Sequence, residues 1–162
     1  MAVGDVVVYP GHGVGRIVAR EQQVIQGGPR DVVVLELAEA LFVTLPVALA
    51  RTSLRPLLSR EDLQRVKEAL RKDPTPSEGV WLKRRKEAQV KISDGDPLRL
   101  AEVVRDGALR ERRLIAKGNG SQLSPGERAL YRKARSLLSG EISLVNGLGS
   151  IDAEAWIDQQ LG

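Results

Sequence analysis

The spacing of apolar residues changes near Leu58, and that change limits the chain to two dissimilar parts. Up to Leu58 the apolar residues come in short branched runs broken by glycine and proline. Val6-Val7-Val8 ends at Tyr9-Pro10, a turn-rich Gly11-His12-Gly13 follows, and Val14 to Ile25 carries branched residues at intervals. Gly27-Gly28-Pro29 signals a hairpin turn, and Val32-Val33-Val34-Leu35 suits a buried strand within Arg30 to Leu37. Leu41 to Leu45 is a further strand halted by Pro46, and Ser53 to Leu57 is a candidate fifth. Several short strands with frequent turns predict a small five-stranded barrel of the SH3 or Tudor kind over residues 1–58.

Past Leu58 the period is helical, which predicts an α+β chain with a compact all-α domain over residues 59–162. Ser59 caps a run in which Leu63, Val66 and Leu70 recur at i, i+3 and i+7. Asp73-Pro74-Thr75-Pro76 ends that helix, because each proline disfavours helix in the residue before it. A second helix is expected from near Ser77 to Ile92, and Asp94-Gly95 breaks it. Asp96-Pro97 then opens a third, with Leu98, Ala101, Val104 and Ala108 as its apolar stripe. After a loop at Lys117-Gly118-Asn119-Gly120-Ser121, the capping box Ser124-Pro125-Gly126-Glu127 starts a fourth helix through Leu138. Ser150-Ile151-Asp152 starts a fifth, ending near Leu161.

Several function classes fall away on composition. The chain has no cysteine and a single histidine, His12, set in a glycine turn. Metal sites need several convergent ligands, so no metal site, cofactor or catalytic residue is expected, and the chain reads as non-enzymatic. Gly11-His12-Gly13-Val14-Gly15 lacks the lysine and Ser/Thr of a phosphate loop and reads as a turn with positive φ. The start of the chain lacks a basic region followed by a long apolar run, and no stretch is long and apolar enough to span a bilayer. The expectation is a cytoplasmic protein with no membrane partner. Its charge is uneven: residues 81–117 hold eleven basic against six acidic groups, while residues 141–162 hold four acidic groups and no basic one. That is a localised positive footprint.

The informative stretch within it is Val80-Trp81-Leu82-Lys83-Arg84-Arg85-Lys86. On a helix the i+3 and i+4 neighbours of Trp81 are Arg84 and Arg85, which sets the indole among charges. One reading packs Trp81 inward and leaves Lys83, Arg84, Arg85 and Lys86 as a solvated face. The other sets an aromatic plate rimmed by cations against a duplex minor groove, where the cations neutralise phosphates and the plate wedges at a base step. Trp156 shares a helix with Ile151, Ile157 and Leu161 and reads as packing.

Val3-Gly4-Asp5, Val7-Val8-Tyr9-Pro10, His12-Gly13-Val14-Gly15 and Leu45-Pro46 form one signature. Trp81 with Arg84-Arg85, Ser93-Asp94-Gly95-Asp96, Ala101-Glu102-Val103-Val104-Arg105-Asp106 and Leu123-Ser124-Pro125-Gly126-Glu127 form a second. With these the chain resembles, over nearly its whole length, the CarD/CdnL family of bacterial RNA polymerase-binding transcription regulators. The resemblance implies a Tudor-like N-terminal domain, also similar to the polymerase-interacting domain of transcription-repair coupling factors. Such a domain docks on the lobe of the polymerase β subunit by pairing strand edges. The resemblance further implies a helical domain on promoter DNA at the upstream edge of the transcription bubble, with Trp81 as a minor-groove wedge that stabilises the open complex.

By position, Lys86, Arg110 and Arg128 match DNA-facing cations of the family, and Gln23, Ile25, Val43, Thr44, Leu45 and Pro46 fall on polymerase-facing strands. Some relatives carry arginine where this chain has Gln23 and Thr44, which leaves strand pairing as the main expected source of affinity. The partners implied are the bacterial RNA polymerase β subunit and promoter DNA, for a protein monomeric in solution. The alternative is a protein–protein interaction module on polymerase with no direct DNA role.

Overall fold

A computed structural model describes residues 1–73 and 80–162 and divides the chain into Met1–Leu57 and Leu58–Gly162. The first unit is a four-stranded antiparallel sheet in the order β1-β2-β3-β4. Its strands are β1 (Val6–Tyr9), β2 (Gly13–Ile25), β3 (Gly28–Glu36) and β4 (Phe42–Pro46). The central strand β3 carries the branched run, and Val32, Val33 and Leu35 are wholly buried. Ile17, Leu37, Leu45, Val47 and Ala50 join Val33 and Leu35 in the buried core.

Two turns set the register. Between β1 and β2, Gly11 and Gly13 hold φ of 80° and 108°, conformations that side chains disfavour, and the His12 N–H donates to the Tyr9 carbonyl at 2.8 Å. The glycines around His12 therefore build a hairpin. Between β2 and β3 the two-residue turn is Gln26-Gly27, with φ of 49° and 83°, which matches a type I′ hairpin. Gly28 and Pro29 lie within β3 opposite Ile25 and Val24, so the turn comes earlier than Gly27-Gly28-Pro29 suggests.

The expected five-stranded barrel is corrected to an open four-stranded sheet. Among the described residues β4 pairs only with β3, and the stretch Ser53–Leu57 contributes one isolated bridge rather than a strand. The short helix α1 (Val47–Ser53) runs up to Leu54, so Arg55 alone exchanges backbone hydrogen bonds with Val8, at 2.8 and 3.0 Å. Pro56 has no N–H with which to extend the ladder. Sequence periodicity assigns nothing to α1, which is too short to display a repeat.

The second unit holds α2 (Arg60–Arg71), α3 (Trp81–Asp94), α4 (Pro97–Ala116), α5 (Pro125–Asn146) and α6 (Ser150–Leu161). Local chemistry sets their ends. Ser59 with Asp62 and Ser124 with Glu127 form reciprocal capping boxes, and Asp96 accepts the Leu98 N–H at 2.8 Å beside Pro97. Gly95 ends α3 in the left-handed conformation. The expected helix start near Ser77 lies outside the described residues. Val66, Leu70, Ile92, Leu100, Ala101, Val104, Ala134, Leu138, Ile142, Ala153 and Ile157 form one buried cluster, with Trp156 packed against it. Leu98, expected in the α4 stripe, is only partly buried, and Leu100 takes an inward position beside Ala101. Arg135 ties α5 to α6 through Glu154 and, at 2.6 Å, Asp158. Glu141, wholly enclosed, accepts the Leu58 N–H at 2.6 Å and fixes the chain as it enters α2.

Candidate nucleic-acid interface and docking edge

Helix α3 commits little of itself to the core: Ile92 is its only buried residue. Its outer face carries Lys83, Arg85 and Lys86, all exposed, together with Leu82 at 69% exposure and Val80 just ahead of the helix. Trp81 opens the helix and is half-buried. Among the described residues it is not one of the side chains packed against the buried cluster, in contrast to Trp156.

What Trp81 does touch is the first turn of α5. Its Cζ2 would lie 3.2 Å from a Cβ placed on Gly126, so the indole edge rests against bare backbone that any side chain would crowd. Over the ring stands the Arg84 guanidinium, with Cζ 5.9 Å from the centroid, within cation–π range. An Arg84 amino nitrogen lies 3.6 Å from Glu127 Oε1, and Arg110 Nε donates to the same oxygen at 2.6 Å. The other oxygen, Oε2, accepts the Ser124 N–H at 3.0 Å.

Glu127 thus joins three helices through one carboxylate with a side chain only 11% exposed. Burial alone would push its carboxyl up. The Ser124 N–H and the Arg110 guanidinium outweigh that and hold it below the usual carboxylate range. Trp81, Arg84, Arg110 and Tyr131 help to wall a cavity of about 300 Å³ between α3, α4 and α5.

The residues expected to face DNA divide in two. Trp81, Arg84 and Arg110 converge on Gly126-Glu127, with Arg128 one residue further on, where it donates to Gln122 Oε1 at 3.0 Å. Lys83, Arg85 and Lys86 are exposed to solvent. Sequence reading found Glu127 only as half of a capping box. Its bonds to Arg84 and Arg110 span 43 and 17 positions, and local pattern carries no signal of them.

The residues expected to face polymerase share one sheet but not one strand. Thr44 is exposed on β4, the strand whose outer edge is unpaired among the described residues. Val43 packs on the core, Leu45 is buried within it, and Pro46 is half-buried. Gln23 and Ile25 pair with Arg30 and Gly28, in the part of the β2–β3 hairpin that extends past the last β3 residue paired to β4, Val32. Phe42, the only phenylalanine, is 57% exposed on β4 next to exposed Leu41. The two-residue period of the strand, with 42, 44 and 46 opposite 43 and 45, carries the signal.

The chain thus combines an open antiparallel sheet with a helical unit whose α3 carries Trp81 and exposed cations. The family model described as the CarD-like/TRCF RID domain matches residues 1–58, and the one described as CarD, C-terminal domain, matches residues 65–158. The chain belongs to the CarD/CdnL family, whose members are non-enzymatic transcription regulators that interact with RNA polymerase.

Proposed function

We propose that this protein docks on the β-subunit lobe of bacterial RNA polymerase through the edge of its N-terminal, Tudor-like sheet and stabilises the promoter open complex with Trp81 in the minor groove at the upstream edge of the bubble. The observation that carries the reading is the placement of Trp81. The indole is half-buried, seated on the α5 start outside the buried cluster, and flanked by an exposed cationic helix face. An aromatic held this way can present one edge to a partly unstacked base step while Lys83, Arg85 and Lys86 meet phosphates. On the sheet, β4 offers an edge that is unpaired among the described residues, with Phe42 and Thr44 exposed, which suits addition of a partner strand. The protein acts in the cytoplasm as a monomer, where polymerase and promoter meet.

One observation favours the competing reading of a polymerase-binding module without a DNA role. Arg84 and Arg110 are engaged by Glu127, which lowers the charge on offer to DNA. A salt series separates the two. Binding to a polymerase–promoter complex should weaken more steeply with salt than binding to polymerase alone, because phosphate contacts release counterions. Equal slopes would favour the module without DNA contact.

A further inference from the structure

We infer that Glu127 is the positioning residue for Trp81, locking Arg84 over one face of the indole and so presetting the side chain for the groove. The inference rests on the wedge reading given above. Trp81 stands at the first position of α3, and Val80 before it supplies no side-chain cap. Among the described residues, a restraint on the indole comes from the start of α5. Arg84 stacks over the ring at 5.9 Å and is in turn drawn to Glu127 at 3.6 Å. Glu127 is anchored by the Ser124 N–H at 3.0 Å and by Arg110 at 2.6 Å. A capping box accepts glutamine as readily as glutamate, so capping alone does not call for a charge at this position. Two guanidiniums converging on one oxygen do call for it. Gly126 completes the seat by leaving the space a Cβ would take. A side chain already held in its bound rotamer loses little freedom on binding, and that is what a preset wedge contributes.

The test uses the full-length chain with bacterial RNA polymerase holoenzyme and a promoter fragment. It compares Glu127→Gln, Trp81→Ala and the double variant by open-complex lifetime. Acrylamide quenching is read on the free protein in a Trp156→Phe background, where Trp81 is the sole tryptophan. Glutamine keeps the capping box, so the variant should stay folded, with its melting temperature lowered only by the loss of the carboxylate's charge. Glu127→Gln should raise quenching of Trp81 and shorten the lifetime about three- to tenfold, as expected for residues coupled in one network. In the Trp81→Ala background it should add nothing.

If the two substitutions instead multiply, Glu127 acts by another route and the inference is overturned while the wedge stands. If Trp81→Ala leaves the lifetime unchanged, the wedge reading falls, and unchanged quenching in Glu127→Gln would overturn the positioning itself. Gly126→Ala guards against a folding artefact, since alanine favours helix over glycine. It should shorten the lifetime with the melting temperature unchanged or raised, and a full lifetime there counts against the inference.

Discussion

Replacing Trp81 with alanine separates a structural cost from a functional one, and the structure sets the size of each. A tryptophan packed in a core loses about 3–5 kcal/mol on truncation to alanine. Among the described residues Trp81 lies outside the buried cluster, and what it forfeits includes a cation–π contact with Arg84, one edge against Gly126 and its share of the cavity wall. Such contacts are worth about 1 kcal/mol, which for a unit of this size moves the melting temperature by roughly 4–8 °C. On the proposed wedge reading, the same side chain at the bubble edge replaces stacking that the opened step has lost. By the usual worth of aromatic–base contacts that is about 1–3 kcal/mol, or about ten- to a hundredfold in open-complex lifetime near the middle of the range. The assay is dissociation of preformed open complexes after a competitor is added, with calorimetry on the free protein alongside. The effect should persist at high salt, because stacking is not screened as phosphate contacts are. A fall in melting temperature well beyond 8 °C, or an unchanged lifetime in a folded variant, would refute the reasoning.

Other consequences can be checked with the same reagents. Thr44→Pro should weaken docking by disturbing the β4 edge, and Phe42→Ala should weaken it by about 1–2 kcal/mol with little effect on the fold, since Phe42 is 57% exposed; a pull-down with the isolated β lobe reads both, and normal docking by both folded variants would place the pairing edge elsewhere. Lys83→Ala or Lys86→Ala should each cost under about 1 kcal/mol in open-complex stability, an effect that fades as salt rises; a loss independent of salt would mean these side chains do more than face phosphates. Glu127 supplies a pH dependence: its folded carboxyl sits below its unfolded value, so its stabilisation is complete above an unfolded pKa of about 4.3 and is lost as pH falls through the folded value. The difference in melting temperature between the protein and Glu127→Gln should therefore shrink below about pH 4, and a constant difference would show that the charge does not matter.

Much of the helical unit was legible because its signals are local. A serine three residues before an acid, an aspartate before a proline, and a glycine after the last apolar residue each declare a helix end, and Ser59, Asp96, Ser124 and Gly95 all act so. The sheet was legible up to β4 for the same reason, since Val32-Val33-Val34-Leu35 has the run of a central strand. Closure was not legible. Whether Ser53–Leu57 adds a strand depends on how α1 ends and on Pro56 lacking a donor, and no period over five residues reports that. The α4 stripe was half right, because a helix buried on more than one side blurs its period, and Leu100 buries where Leu98 does not.

The site shows the sharper limit. Composition and spacing marked Trp81 and the cations around it, but could not tell which cations are spoken for inside the protein. That depends on Glu127, whose local role as a capping acid fully accounts for its presence in a sequence. Only the fold brings Arg84 and Arg110 to the same oxygen. The consequence is functional as well as structural. On the proposed reading, cations held by an internal carboxylate steer DNA weakly but hold a neighbouring aromatic well, whereas Lys83, Arg85 and Lys86 do the opposite. A cationic stretch read as one patch is therefore two devices, and a charge-reversal scan across residues 83–86 should show it: position 84 changes open-complex lifetime through Trp81, with little change in salt dependence. Positions 83, 85 and 86 should each reduce the salt slope of complex formation by about one. Uniform behaviour at all four positions would mean the cluster at Glu127 opens on DNA and frees Arg84 to join the others.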